Sequence, residues 1–168
     1  MSSIQLLFTA TNGALSWAIQ ACTWSTWSHV ALVAGDQVIE SMPGHGVRRV
    51  PLSGAIQCAD RHELVTIPAR DPARIIAAAA GQIGKPYDYQ AIVGLGLHRD
   101  WQQADAWFCS ELAAWAFHAA GEPLFRVDCV RRVTPQHLWM LAPCDTRSAQ
   151  GTRVARIVPS QRNGGGYG

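Results

Sequence analysis

The stretch Trp107-Phe108-Cys109-Ser110-Glu111-Leu112 decides how this chain is read. A polar, turn-prone run holding Asp100, Gln102, Gln103 and Asp105 gives way here to an apolar helix. Cys109, Leu112, Ala113, Ala116, Phe117 and Ala120 recur at helical spacing, and Gly121 is placed to end that helix. A cysteine in the first turn of a buried helix lies at the positive end of the macrodipole. That position favours the thiolate, the nucleophilic form in cysteine catalysis. The competing reading is a packed core cysteine, because free cysteines are often buried.

A second segment bears on the choice. Ser28-His29-Val30-Ala31-Leu32-Val33 reads as a strand and Gln37-Val38-Ile39-Glu40-Ser41 as the next, with Ala34, Gly35 and Asp36 as the turn between them. With Gly35-Asp36 as a two-residue loop, opposed residue numbers sum to 71, so Val33 faces Val38 and Ala31 faces Glu40. His29 lies two positions beyond Ala31 on the same face. It is then a diagonal neighbour of Glu40, roughly 7–8 Å away at the backbone and within side-chain reach. An imidazole held by a carboxylate is the base that a thiol nucleophile needs. A three-residue loop would instead put Glu40 on the opposite face.

The order histidine, acid, cysteine resembles that of the circularly permuted papain-like cysteine hydrolases of the NlpC type, the YiiX-like amidases and peptidases. The stretches that carry the resemblance begin with Leu6-Leu7-Phe8 and the uncharged helix after it, Ser28-His29-Val30, and Val38-Ile39-Glu40-Ser41. They continue through Gly46-Val47-Arg48-Arg49-Val50-Pro51-Leu52, Gly84-Lys85-Pro86-Tyr87-Asp88-Tyr89, Phe108-Cys109-Ser110-Glu111-Leu112 and Thr134-Pro135. The resemblance implies an α+β fold with a papain-like core, in which a small antiparallel sheet packs against the helix bearing the cysteine. It implies a catalytic triad of Cys109, His29 and Glu40, and a place for Tyr87 near the nucleophile, holding substrate or the oxyanion. It implies hydrolysis of an amide or ester with no cofactor and no metal. Relatives of this type divide between peptide bonds of cell-wall muropeptides and lipid acyl groups. One departure is at the N-terminus, where such proteins often show Gly-Asp and this chain has Ser2-Ser3-Ile4-Gln5.

Composition bounds the alternatives. A chain of 168 residues with 48% hydrophobic and 15% charged residues fits one globular domain, expected over 1–158, with a glycine-rich tail over 159–168. A net charge of +2 does not point to nucleic acid. The pairs Arg48-Arg49 and Arg131-Arg132 read as solvated faces. The cysteines Cys22, Cys58, Cys109, Cys129 and Cys144 show no C-x-x-C and no zinc-finger spacing. All but Cys109 read as packing residues. Residues 1–35 hold no Lys, Arg, Asp or Glu, yet polar residues interrupt the apolar run, and no basic segment opens it. No transmembrane segment and no signal peptide are expected, which places the chain in the cytoplasm as synthesised, with delivery elsewhere left open.

Along the chain, a strand from Ile4 to Thr9 precedes a helix from about Ala14 to Thr23, with Leu15, Ala18, Ile19 and Cys22 as its core face. Trp17, Ala21 and Trp24 form a second stripe, which packs under a loop on one view and walls a substrate groove on the other. Leu64 to Ile67 reads as a strand. Asp71-Pro72 reads as an N-cap and first helical position, and Thr134-Pro135 opens a last short helix. His98 and Trp101 are candidate cleft residues or loop anchors. His45 reads as a loop residue, His137 as exposed or capping, and His118 as turned away from Cys109. Arg153 to Val158 reads as a final strand. The favoured activity is amide hydrolysis of a peptide-like substrate. The alternatives are a lipid-directed acyltransferase or thioesterase of the same fold, and a non-catalytic binding module.

Overall fold

The strands of the hairpin and their neighbours join in one antiparallel sheet in the computed structural model, which describes residues 2–90 and 105–142. The expectations for His98, Trp101, Cys144, the strand at 153–158 and the tail lie outside these residues. The strands are β1 (Ser3–Ala10), β2 (His29–Ala34), β3 (Gln37–Met42), β4 (Gly46–Pro51) and β5 (Arg61–Pro68), in the order β4-β3-β2-β1-β5. The β2–β3 register is Leu32↔Ile39, Val33↔Val38 and Ala34↔Gln37, the sum of 71 read from the two-residue loop. Gly35 takes φ +69° at the first loop position, which an L side chain resists.

Leu6, Leu7 and Phe8 are consecutive and all fully buried, so β1 is covered on both faces. Leu6 and Phe8 join Val30, Leu32, Ile39, Val65 and Ile67 in the main core. Leu7 joins Ala31 and Val38 in a smaller one, closed by Leu52, Ala55 and Ile56 of helix α2 (Leu52–Gln57). Burying each such side chain stabilises by roughly 1.5–3 kcal/mol. The main core is roofed by α3 (Pro72–Ala80), by α4 (Cys109–Ala119), which packs across β2 and β3, and by α5 (Pro135–Met140). Asp71 caps α3, accepting the Arg74 N–H at 3.0 Å with Pro72 in the first turn, as its sequence indicates. Gly121 takes φ +81° just past α4. The helix α2 and the 3-10 helix Val127–Arg132 have no counterpart in the sequence reading; each is six residues long, too short for a periodic signal.

Helix α1 (Ala14–Thr23) corrects one expectation. Of its residues only Ser16 and Ile19 are buried, while Leu15 is 43% exposed and Cys22 is exposed. The helix meets the body along a narrow line, fixed by Ser16 Oγ–H donating to Ser28 Oγ at 2.7 Å. Cys58 and Cys129 are exposed as well, so Cys109 is the one buried cysteine among the described residues. The idea that Trp17 and Trp24 pack under a loop also fails: they are 72% and 91% exposed. No helix among the described residues is long and apolar enough to cross a membrane.

The lead-in to α4 hangs on β4 through a relay of backbone bonds. Val47 N–H donates to the Lys85 carbonyl at 2.8 Å, and Gly84 N–H to the Val47 carbonyl at 2.9 Å. Trp107 N–H then donates to the Pro86 carbonyl at 3.0 Å, and Asp88 N–H to the Trp107 carbonyl at 3.1 Å. The approach requires glycine at position 46, where φ is +67° and a Cβ would overlap the Lys85 carbonyl oxygen. Gly46→Ala is therefore expected to lower stability by roughly 1–3 kcal/mol. A shift of the urea midpoint to lower concentration at unchanged m-value checks it, and an unmoved midpoint would show that the loop adjusts freely.

Candidate active site

Two strands, β2 and β3, pack against the helix that opens with Cys109, and a third, β4, reaches Glu40 behind them. The cysteine is the first residue of α4 and is buried. His29 opens β2, and its Nε2 lies 3.0 Å from Glu40 Oε2 on β3. The Cys109 thiol is the imidazole's other neighbour and acts on its charge together with Glu40. With Nε2 engaged by Glu40, Nδ1 is the nitrogen left for the sulfur. Cys109, His29 and Glu40 thus form one connected chain of side-chain contacts, although 80 positions separate the first two.

Glu40 does not end the chain. Its other oxygen, Oε1, accepts from both Arg48 Nε and Arg48 Nη2 at 2.9 Å. Glu40 and Arg48 are direct cross-strand partners in the β3–β4 ladder. Burial opposes charge on both Glu40 and His29, and the contacts outweigh it. The hydrogen bonds and charges of His29 and Arg48 hold the Glu40 carboxyl below the usual range. Against the pull of burial, hydrogen bonds to Cys109 and Glu40 and the negative charge of both raise His29 from 6.5 to about 10.

The lead-in is held by the residue beside Glu40. Ser41, fully buried, donates Oγ–H to the Trp107 carbonyl at 2.6 Å, two positions before the cysteine. Tyr87 is 5% exposed and packs edge-on against Phe108 and Tyr89, with ring centroids 6.0 and 5.0 Å apart. Burial, followed by negative charge at Cys109, pushes its phenol upward, so the hydroxyl is a neutral group in the field of that thiol. Trp17 lies exposed on α1 and Trp24 exposed at its C-terminal end. Their helix is tied to Ser28, the residue before His29. His118 is exposed, His45 sits in the β3–β4 loop with Nδ1 bound to the Pro43 carbonyl, and His137 completes the cap of α5 by accepting the Thr134 N–H at 3.0 Å.

A sequence model of the permuted papain-like amidase enzymes of the YaeF/YiiX type, the C92 family, matches residues 5–139. The chain belongs to this family. Among its relatives is the probable lipoprotein peptidase YaeF of Escherichia coli K12, 29% identical in an alignment 153 positions long that covers 71% of this chain and 56% of the relative. The chain therefore spans little more than half of that protein's length. The crystal structure of the metalloprotein yiiX from Escherichia coli O157:H7 superposes with a TM-score of 0.61 over 84% of this chain and 93% of that one, at 19% identity. That likeness bears on the fold alone. Among the described residues no group of three or more His, Cys, Asp or Glu side chains is arranged to hold a metal ion.

Two features of this family member escape a reading by motif. The Arg48 contact was legible in principle: a three-residue loop at Pro43-Gly44-His45 puts Arg48 opposite Glu40, by the logic applied to the preceding hairpin. The pair Arg48-Arg49 instead divides, Arg48 half-buried against Glu40 and Arg49 exposed. The second feature is Glu111, third residue of α4, whose carboxylate accepts the Phe108 N–H at 3.4 Å. It also borders a cleft of about 400 Å³ with Trp115, His118, Lys85 and Arg131. Cys109 does not line that cleft, because Glu111, Trp115 and His118 lie about half a turn round the helix from it.

Burial first, then the charge of Asp88, raises Glu111 from 4.5 to about 7, against the Phe108 N–H and Arg131, which lower it. The folded protein thus holds this proton where the unfolded chain releases it. The stability it contributes is full below pH 4.5 and is lost as the pH rises to about 7. Glu111→Gln should accordingly gain in Tm relative to the native protein between pH 5 and pH 8. A difference in Tm that stays flat across that range would show that the carboxyl is not held protonated.

Proposed function

We propose that this chain is a cysteine amidase or peptidase that cleaves an amide bond of a peptide-like substrate, with cell-wall muropeptides as the first class to test, through a thioester on Cys109. The observation that carries the reading is the unbroken line from Cys109 through His29 to Glu40. Glu40 orients the ring through Nε2 and balances the imidazolium. Nδ1 takes the Cys109 proton, and the sulfur attacks the carbonyl carbon. The tetrahedral oxyanion forms at the start of α4, where backbone N–H groups have no intrahelical partner. His29 returns its proton to the leaving amine. Water, deprotonated by the same ring, then releases the acyl group.

Tyr87 supplies the second oxyanion or substrate contact in this scheme, supported by its burial beside the nucleophile and its un-ionised hydroxyl. Intact-mass detection of an acyl adduct on Cys109, after parallel incubation with muropeptides and phospholipids, tests the reading and chooses the substrate class. Cys109→Ala should give neither adduct nor turnover. Tyr87→Phe should lower kcat by roughly 10²–10³ with little change in Tm, the loss expected of one oxyanion donor. An active Cys109→Ala protein overturns the mechanism; an unchanged kcat in Tyr87→Phe removes the tyrosine from it.

The two exposed indoles favour a second reading, in which the scissile bond lies in an acylated substrate or a lipid. Trp17 and Trp24 stand seven positions apart on an uncharged helix tethered beside His29, with Trp24 as its left-handed C-cap. Large exposed apolar side chains next to a reactive centre mark binding surfaces. The name of the E. coli relative couples peptidase to lipoprotein. Replacing both tryptophans with alanine should raise KM for an acylated peptide at least several-fold and leave the unacylated peptide unaffected. Equal effects on the two substrates would refute this reading.

A further inference from the structure

We propose that Arg48 is a positioning residue of the reaction: its guanidinium clamps one oxygen of Glu40 so that the other stays aimed at His29. The inference rests on the cysteine-hydrolase reading above and adds a fourth member to the chain.

The geometry is specific. Nε and Nη2 of one guanidinium converge on Glu40 Oε1, both at 2.9 Å, while Oε2 is 3.0 Å from His29 Nε2. The two oxygens are thus divided between the two partners. A carboxylate rotates readily about its last bond, and a single contact would leave that rotation open. Contacts at both oxygens close it. The cross-strand pairing Glu40↔Arg48 fixes the distance from below, since both residues belong to the same ladder. The arginine side chain is one-third exposed, whereas the Glu40 side chain is 3% exposed, so the clamp reaches in from the rim of the sheet to a buried anion.

Charge gives the clamp a second consequence. The charged groups acting on Glu40 are His29 from β2 and Arg48 from β4, with Cys109 acting through His29. With thiolate and imidazolium formed, the four groups alternate in sign along the line and sum to zero. Without Arg48 the same line carries one uncompensated negative charge in a buried place, which costs several kcal/mol unless a proton is taken up. Burial is the term that raises the Glu40 carboxyl, and Arg48 is one of the two partners that oppose it. Loss of the arginine therefore lets Glu40 take a proton at a pH where the native carboxylate is still ionised. A protonated Glu40 holds the ring weakly and does not balance an imidazolium. The rate should fall from the acid side.

The test compares the native protein, Arg48→Met and Arg48→Lys. The readouts are the pH dependence of Cys109 alkylation by iodoacetamide, followed by peptide mass, and of kcat on the substrate that forms the adduct. In Arg48→Met the acid limb of both profiles should move to higher pH by about one unit, the size expected of one charge near a partly buried site. The native carboxyl titrates below its usual 4.5, so the ratio of variant to native rate should fall toward a tenfold drop, relative to pH 8, only on the acid limb well below pH 4.5. Arg48→Lys keeps the charge and loses the fork, so its acid limb should stay near the native position while kcat falls. An arginine that merely braces the sheet would lower Tm and scale every rate equally. Coincident limbs in Arg48→Met therefore overturn the proposal. If Cys109 of the native protein alkylates no faster than exposed Cys22 and Cys58 at any pH, the hydrolase reading itself fails, and Arg48 loses its role with it. The two failures are thus told apart by the native profile alone.

Discussion

A buried carboxylate, that of Glu40, is the constraint to which the rest of the site answers. An isolated ionised group in such a place costs several kcal/mol. Here two partners offset that cost, each on its own oxygen. Meeting that requirement takes three strands in a defined register: β2 to bring His29, β3 to carry the acid, β4 to bring Arg48. A slip of one residue at either turn would turn one partner to the other face and leave the charge uncompensated. The glycine at position 35, and the short loops on each side of β3, are where that slip is prevented.

The helix that opens with Cys109 is bound to the same strand by a different device. Residue 41 follows residue 40, so β3 carries the acid and, one position on, the serine that holds the Trp107 carbonyl. The acid and the lead-in to the cysteine cannot move apart without distorting one strand. The Gly84–Asp88 segment adds a second tether from β4, and Gly46 lets the two backbones approach. Side chains far apart in the sequence thereby share one rigid frame, the arrangement that the proposed reaction would require.

Much of this was legible in the residues. The strand patterns, the Asp71-Pro72 and Thr134-Pro135 caps, the two-residue turn and the helix at Cys109 all carry local signals, because each depends on neighbours in sequence. The permuted papain-like fold and its family followed from the order of the motifs. What misled was helix α1. Its apolar residues Leu15 and Cys22 have the spacing of a core face, but hydrophobic periodicity records which residues share a side and not whether anything covers that side. The same limit applies to Arg48-Arg49: two adjacent charges look alike in sequence, and only the alternation of a strand in a known register separates the one that enters from the one that stays out.

The sequence by itself determined most of the elements, apart from α2 and the 3-10 helix, narrowed the hairpin register to two choices, and raised Cys109, His29 and Glu40 as candidates, since backbone geometry and side-chain periodicity are local properties. Tertiary structure decided what depends on contacts across many positions: the meeting of Cys109 with His29, the hold of Ser41 on Trp107, the division of Glu40 between two partners, and the exposure of Trp17 and Trp24. Such contacts depend on where separate elements come to rest against one another. Packing sets that placement over the whole core, and no single stretch of chain encodes it.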